Sequence, residues 1–339
     1  MCDCLMALAP ATVAGRTLWA KNSDRPPTEP QQLEWLAPRR DTGPVHTTYI
    51  DVDPAPGETI GVLGSRPTWM WGLEHGVNEA GVAAGNETIF TTDDPRAAAP
   101  ALLGMDLVRL ALERATTASG ARDVILDLLA RHGQGGSGHQ GKDRPYWSSF
   151  LVADADGGFV IETSGRELAV EQVERTRAIS NRTTIPAFDD ARRHPRQPVE
   201  TLVDPRWRAS QAVLAAEPVA VGDIKAHLRS HVGEAGYTVC MHVSDVEATT
   251  ASAVAELGRA ARPRGWFLMG SPCSSVYVPL FVGRPLGEPP PWERFAGLRP
   301  EHRPALDDLE AELDADASDD DGWGPEAWRR VDRALRALA

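Results

Sequence analysis

The chain has 339 residues, 42% of them hydrophobic and 24% charged, and carries a formal net charge of −13. That length is enough for one large domain or two ordinary ones with a substantial core. No apolar run is long enough to span a bilayer, and no basic stripe exists to neutralise phosphates, which argues against membrane and nucleic-acid partners. The start, Met1-Cys2-Asp3-Cys4, lacks the basic and apolar stretches of a secretory leader, so the cytoplasm is the expected location.

In chain order, the first hundred residues read as strands joined by turns: 2–9, 16–21, 32–36, 47–52, 59–63 and 82–85. Apolar residues spaced by three and four then predict helices over 104–115 and 121–132, the second stopped at Gly133. A glycine-rich loop (133–141) leads to strands at 148–153, 158–163, 168–173 and 177–181. Helices follow at 204–215 and 221–231, then strands at 238–242, 248–256 and 265–270. After Gly287-Glu288-Pro289-Pro290-Pro291 the composition shifts, and the rest reads as a helical appendage (287–339) to a catalytic domain (1–286). It contains the acidic run DDLEAELDADASDDD (307–321), expected as a solvated helix face or tail, and an amphipathic helix over 323–339. Strand blocks on either side of a helix pair suit two layers of sheet covered by helices, an α+β arrangement, and do not suit a doubly wound parallel sheet.

Four cysteines occur, at 2, 4, 240 and 273, without the close pairs of a zinc knuckle. The nine histidines form no HExxH pair, so no metal or cofactor is expected. Cys240 and Cys273 read as buried or structural. In Cys240-Met241-His242 the first and third residues share one face of a strand, which leaves a Cys–His pair geometrically open. Cys2 is different in kind. Loss of Met1 ahead of a small residue would put a thiol and an α-amine on the same residue. An amine with a pKa near ~8 is partly neutral at pH 7 and can take the thiol proton, which supplies a thiolate nucleophile without a histidine.

The surrounding residues support that chemistry. The segments CDCLMALAPAT (2–12), WAKNSDRP (19–26), SRPTWMWG (65–72), NEAGV (78–82), GNE (85–87), ALLGMDLVRL (101–110), HGQGG (132–136), IET (161–163), ISN (179–181) and TTAS (249–252) resemble the secernins in the same order. Secernins are relatives of the bacterial dipeptidases among the cysteine N-terminal-nucleophile (Ntn) hydrolases, and the resemblance covers most of residues 2–280. It implies an αββα four-layer sandwich with the nucleophile, Cys2, opening a central strand. It further implies that Lys21 is the basic residue of the second strand and that Asp24 holds the new α-ammonium. Asn86 would offer its amide to the oxyanion and Asn181 would orient the substrate amide. Lys21 departs from the arginine of some relatives, so a bidentate anion clamp is not expected there. Cys4 aligns with the nucleophile of some members and is the rival to Cys2. Arg66, Trp69 and Trp71 form a compact group suited to clamping a substrate carboxylate beside an apolar wall. The expected reaction is hydrolysis of a small linear amide, a dipeptide or N-acyl amino acid, through a Cys2 thioester. Acyl transfer through the same thioester, or a non-hydrolytic regulatory role with a modified N-terminus, stays open, as does a homo-oligomer.

Overall fold

The computed structural model describes residues 1–259 and 261–338. The first part of the chain is β1 (Cys2–Ala7), β2 (Thr17–Arg25), β3 (Gln31–Leu36), the ribbon β4 (Val45–His46) with β5 (Asp51–Val52), β6 (Val62–Pro67), β7 (His75–Asn78) and β8 (Ala83–Ile89). Helices α1 (Gly104–Arg114) and α2 (Ala118–His132) follow, then β9 (Trp147–Ala153), β10 (Gly158–Ser164), β11 (Glu167–Gln172) and β12 (Thr176–Ile179). Next come α3 (Pro186–Arg192), α4 (Val199–Leu202), α5 (Asp204–Ala215) and α6 (Val221–Leu228), the ribbon β13 (Gly233–Glu234) with β14 (Tyr237–Thr238), and β15 (His242–Val243). The chain closes with β16 (Glu247–Leu257), β17 (Arg264–Met269), β18 (Val278–Phe281), α7 (Trp292–Ala296), α8 (Arg303–Asp316) and α9 (Trp323–Leu338).

Two antiparallel sheets result. One runs β12-β1-β2-β16-β17-β18, with β15 on β16, and the other runs β11-β10-β9-β8-β7-β6-β3. They pack face to face because alternate side chains of each are apolar: Cys4, Met6, Trp19 and Ala253 of the first meet Leu63, Val77, Ala83 and Leu151 of the second. The outer face of the first sheet (Leu5, Leu18, Val254) lies under α5 and α6, through Leu214, Ile224 and Leu228. The outer face of the second (Val62, Ala84, Phe150) lies under α1 and α2, through Leu107, Ala111 and Ile125. The four layers are therefore helix, sheet, sheet, helix. Gly85 of β8 allows the sheets to approach, since a Cβ there would stand 2.7 Å from Lys21 Cδ and 3.0 Å from the Trp19 ring.

Several elements differ from the sequence reading. The second strand runs on to Arg25, and the one expected over 238–242 breaks into two short pieces. The strands β7 and β18 had no alternating signal: β7 has one apolar side chain, Val77, and β18 contains Pro279. A proline is tolerated there because β18 is an edge strand. The segment 287–339, set apart by composition, shares its core with the sheets. Leu306, Leu313, Trp328, Val331 and Leu335 pack with Phe267, Val278 and Leu280, and Trp323 Nε1 donates to the Pro279 carbonyl at 2.7 Å. The acidic run is correspondingly not all solvated. Glu310 and Asp314 of α8 pair with Lys225, Arg229 and Arg264, tying the helix to α6 and β17.

Candidate active site

Strand alternation sets the position of Cys2. Cys4 and Met6 point between the sheets and Leu5 and Ala7 point to the α5–α6 layer, so Cys2 faces inward and Asp3 outward. The β1–β2 register sets Cys2 opposite Ser23 and Cys4 opposite Lys21. Cys2 is 5% exposed, and burial pushes its thiol up to about 12, with Lys21 and the terminal ammonium pulling the other way. With Met1 in place the thiol is therefore protonated at neutral pH.

A buried polar layer surrounds the thiol between the sheets. Lys21 Nζ donates to Ser23 Oγ at 2.6 Å and to Glu74 Oε2 at 3.2 Å, and Ser23 Oγ lies 3.1 Å from His75 Nδ1. Arg25 completes the group, bonded to Glu29 and 3.3 Å from Glu74 Oε1. Burial pushes the Glu74 carboxyl up, but Lys21 and Arg25 outweigh it and hold the group below its ordinary range. Burial lowers the Lys21 ammonium, yet its acidic neighbours, the Cys2 thiol and then Glu74, outweigh burial and raise it, so it stays protonated. His75 is driven well down by burial and by Lys21 and is neutral. The thiol thus faces a fixed cation whose own counter-charge is Glu74.

The other side of β1 holds the main chain of Cys2. Its N–H donates to Asn181 Oδ1 at 2.9 Å. Arg206 of α5 donates to the same oxygen at 2.9 Å, to Asp3 Oδ2 at 2.6 Å and to the Cys2 carbonyl at 3.4 Å. Ser180 Oγ donates to Asp3 Oδ1 at 2.7 Å. Asp24 Oδ1 accepts from Thr249 Oγ1 at 2.6 Å while Oδ2 is buried without a partner. Burial pushes Asp24 up to about 7, against the pull of the terminal ammonium and Arg206. The Asp24 N–H donates to the Met1 carbonyl at 2.9 Å, and the Met1 ammonium pairs with Glu247. Met1 and Glu247 lie in a cleft of about 510 Å³ whose walls include Thr88, Phe90, His139, Arg144 and Tyr146.

Of the residues proposed from sequence, Cys2, Lys21, Asp24 and Asn181 come together around the chain start. Asn181 takes a part different from the one expected, since its oxygen accepts the Cys2 N–H. The others go elsewhere. Asn86 shares the face of β8 that carries Ala84, opposite Phe150, and so looks into the α1 layer and away from the thiol. Its amide donates to Met105 Sδ and Ser148 Oγ at 3.3 and 3.4 Å. The start of α1 presses on it so closely that a Cβ at Gly104 would stand 2.5 Å from Asn86 Nδ2. Arg66 is engaged by Glu34 at 2.8 Å and by the Met70 carbonyl at 2.6 Å. Trp71 stacks under Arg109, 3.9 Å from the ring centre, and Trp69 packs with Met70 and Tyr146 and bonds Glu29. These three brace the second sheet and its helices, and none lines the cleft. Cys4 is fully buried beside Glu87, and burial holds its thiol well above the ordinary range. Arg206, Glu247, Glu74 and His75 went unnoticed in the sequence, where each stands in an ordinary context. Only Glu74-His75, two chemistry-bearing residues between Leu73 and Gly76, carried a faint signal.

Glu87 offers a direct test of this buried layer. It is 0% exposed, and both carboxylate oxygens lack a nitrogen or oxygen partner. Burial, then the Asp3 charge, holds its carboxyl well above the ordinary range, so it folds as the neutral acid. The unfolded chain ionises this group near its ordinary value, so above that pH the folded state keeps a proton the unfolded state has lost. Glu87 therefore favours folding least at high pH. Glu87→Gln is expected to melt about 2 °C above the wild type at pH 8 and equally at pH 4. An equal difference at both pH values in thermal melts would show that ionisation plays no part.

Two antiparallel sheets face to face, covered by helices on both sides and with a cysteine at the head of a central strand, make this an αββα sandwich of the N-terminal-nucleophile hydrolase fold. Two solved structures of conjugated bile acid hydrolase from Clostridium perfringens, a cysteine-to-alanine and an arginine-to-leucine variant, share it. Both align at 12% identity with a TM-score of 0.53, covering 83% and 82% of this chain and 92% of each of theirs. No family model matches the chain. Among the described residues no helix is long and apolar enough to cross a membrane.

Proposed function

We propose that this chain is a cysteine amidohydrolase of the secernin kind that cleaves a small linear amide bearing a free amino group, a dipeptide in the simplest case. The observation that carries this reading is the setting of the Cys2 nitrogen. Asn181 Oδ1 holds it at 2.9 Å, at the head of a central strand and under a cleft that receives Met1. Removal of Met1 leaves an α-amine at that nitrogen, one residue's width from the thiol and in front of an open cleft. The amine takes the thiol proton and the thiolate attacks the amide carbon. The resulting α-ammonium returns the proton to the departing amine, which leaves a thioester on Cys2. Water, deprotonated by the same α-amine, then releases the acid and the free thiol. The fixed Lys21 cation favours the thiolate over the thiol. The hydrolase on the same fold supports hydrolysis as the outcome.

Charge in the cleft supports the substrate class. Glu247 receives the Met1 ammonium, and Arg144 and Arg196 are exposed among the lining residues, with Arg96 lying 3.8 Å from Asp94 of the same lining. A small zwitterion with its ammonium on Glu247 and its carboxylate among the arginines fits this layout. Intact mass, thiol alkylation and a panel of dipeptides and N-acyl amino acids provide the test. The active protein is expected to begin at Cys2, and Glu247→Gln should raise KM for free-amino dipeptides about 10-fold or more with kcat little changed. An unchanged KM for those dipeptides, or preferential hydrolysis of N-acylated compounds by the wild type, would remove the ammonium-binding role.

A further inference from the structure

Away from the cleft, four side chains that the proposed reaction does not use converge near the end of the first sheet. They are His231, just after α6; Cys240, between β14 and β15; His242, which opens β15; and Cys273, in the loop between β17 and β18. One donor atom from each lies within 4.8 Å of all the others. His242 Nε2 stands 3.4 Å from Cys240 Sγ and 3.2 Å from Cys273 Sγ. The imidazoles of His231 and His242 meet edge to face with their centres 5.1 Å apart. A tetrahedral zinc ion with bonds of about 2.3 Å to sulfur and about 2.0 Å to nitrogen separates neighbouring sulfur and nitrogen ligands by about 3.5 Å. The two sulfur–nitrogen distances are already near that value.

We propose that His231, Cys240, His242 and Cys273 form a structural zinc site. Two thiolates and two imidazoles are a donor set suited to zinc, and four protein ligands leave no open position for water, which marks a structural site. Binding displaces the two thiol protons, so Zn²⁺ with two thiolates and two neutral imidazoles makes a centre of zero net charge. The ion has a way in, because His231 and His242 are exposed and Cys273 is half-buried, while Cys240 closes the inner side. It also has something to hold. The segment it would tie down contains only the two-residue strands β13, β14 and β15, and the ion would fasten it to the β17–β18 loop. The linear sequence hid the site because the ligands span residues 231 to 273, and only Cys240-Met241-His242 brings two of them close.

The site also reaches the candidate active site through a short chain of bonds. Between the two central ligands, the Met241 N–H donates to Thr249 Oγ1 at 2.8 Å, and that hydroxyl donates to Asp24 Oδ1 at 2.6 Å. The ion would thereby fix the strand end that holds Asp24, a positioning effect with no part in bond making.

The test is metal analysis of the full-length protein, prepared without chelator and without a metal-affinity step. About one zinc per chain is expected, falling below about a tenth in Cys273→Ser and in His231→Ala. Chelation should lower the melting temperature, and zinc should restore it. Cobalt(II) added to the chelated, reduced wild type should give a thiolate-to-cobalt charge-transfer band and the visible bands of a tetrahedral ion, a readout that does not depend on whether any variant folds. Folded, reduced wild-type protein that contains no zinc and gives no cobalt band would overturn the proposal. So would a Cys240–Cys273 disulfide in protein alkylated under anaerobic conditions, since those sulfurs would then be taken.

Discussion

Cys2→Ala is expected to lower amide hydrolysis by about 10⁴-fold or more while leaving a folded protein. The nucleophile and its proton acceptor sit on one residue, and removing the thiol ends covalent catalysis without disturbing the strand. The side chain is small, so its loss should cost about 1 kcal/mol or less. The polar layer of Lys21, Ser23 and Glu74 keeps its own bonds. Cys4→Ala is the matched control. Cys4 is 0% exposed, and its thiol is held in the protonated form by burial and by Glu87, so its removal should leave turnover within about 3-fold. Kinetics on the two variants, with alkylation mapped by peptide mass, decides between them. Full activity in Cys2→Ala alongside loss in Cys4→Ala would transfer the chemistry to the second cysteine.

The second large effect belongs to Arg206. Arg206→Met is expected to cost about 3–5 kcal/mol and to lower the melting temperature by roughly 5–10 °C. Both partners of the Arg206–Asp3 pair are 0% exposed, with nitrogen and oxygen 2.6 Å apart. Most of the cost comes from the Asp3 carboxylate, left charged and buried without its cation. Asp3→Asn in the same chain should therefore recover a good part of the loss. Arg206 also donates to Asn181 Oδ1 and lies 3.4 Å from the Cys2 carbonyl, so the repaired double variant should still turn over more slowly. Thermal melts and kinetics on the three variants separate these effects. A double variant no more stable than Arg206→Met would show that the pair is not the source of the loss.

These two residues illustrate what can be read from a linear chain. The importance of Cys2 is local: a thiol and a prospective α-amine on one residue suffice to suggest it, and the segments around it extend that reading. Arg206 has no local mark. It is one arginine in a helix, 203 positions from the aspartate it neutralises, and only the packing of α5 on the first sheet brings them together. Glu247 is equally ordinary in sequence and becomes notable only because β16 begins beside Met1, just ahead of β1.

By itself the sequence determined the elements with strong periodicity: the central strands, the helices α1, α2, α5 and α6, and the two-sheet character of the fold; it also singled out Cys2 as the nucleophile to test. Those features depend on residues a few positions apart. The tertiary structure decided which face each strand turns to the thiol, and a shift of one residue reverses that choice. Asn86 shows the consequence. It stands between Gly85, which faces Lys21, and Glu87, which shares Gly85's face, and so is turned into the α1 layer. The tertiary structure likewise decided that Arg66 and Trp71 brace the second sheet, that the C-terminal helices complete a shared core, and that residues 231 to 273 gather four donors at one point. Each of these depends on contacts between segments distant in the chain, and short-range patterns of hydrophobicity and residue type do not encode such contacts one by one.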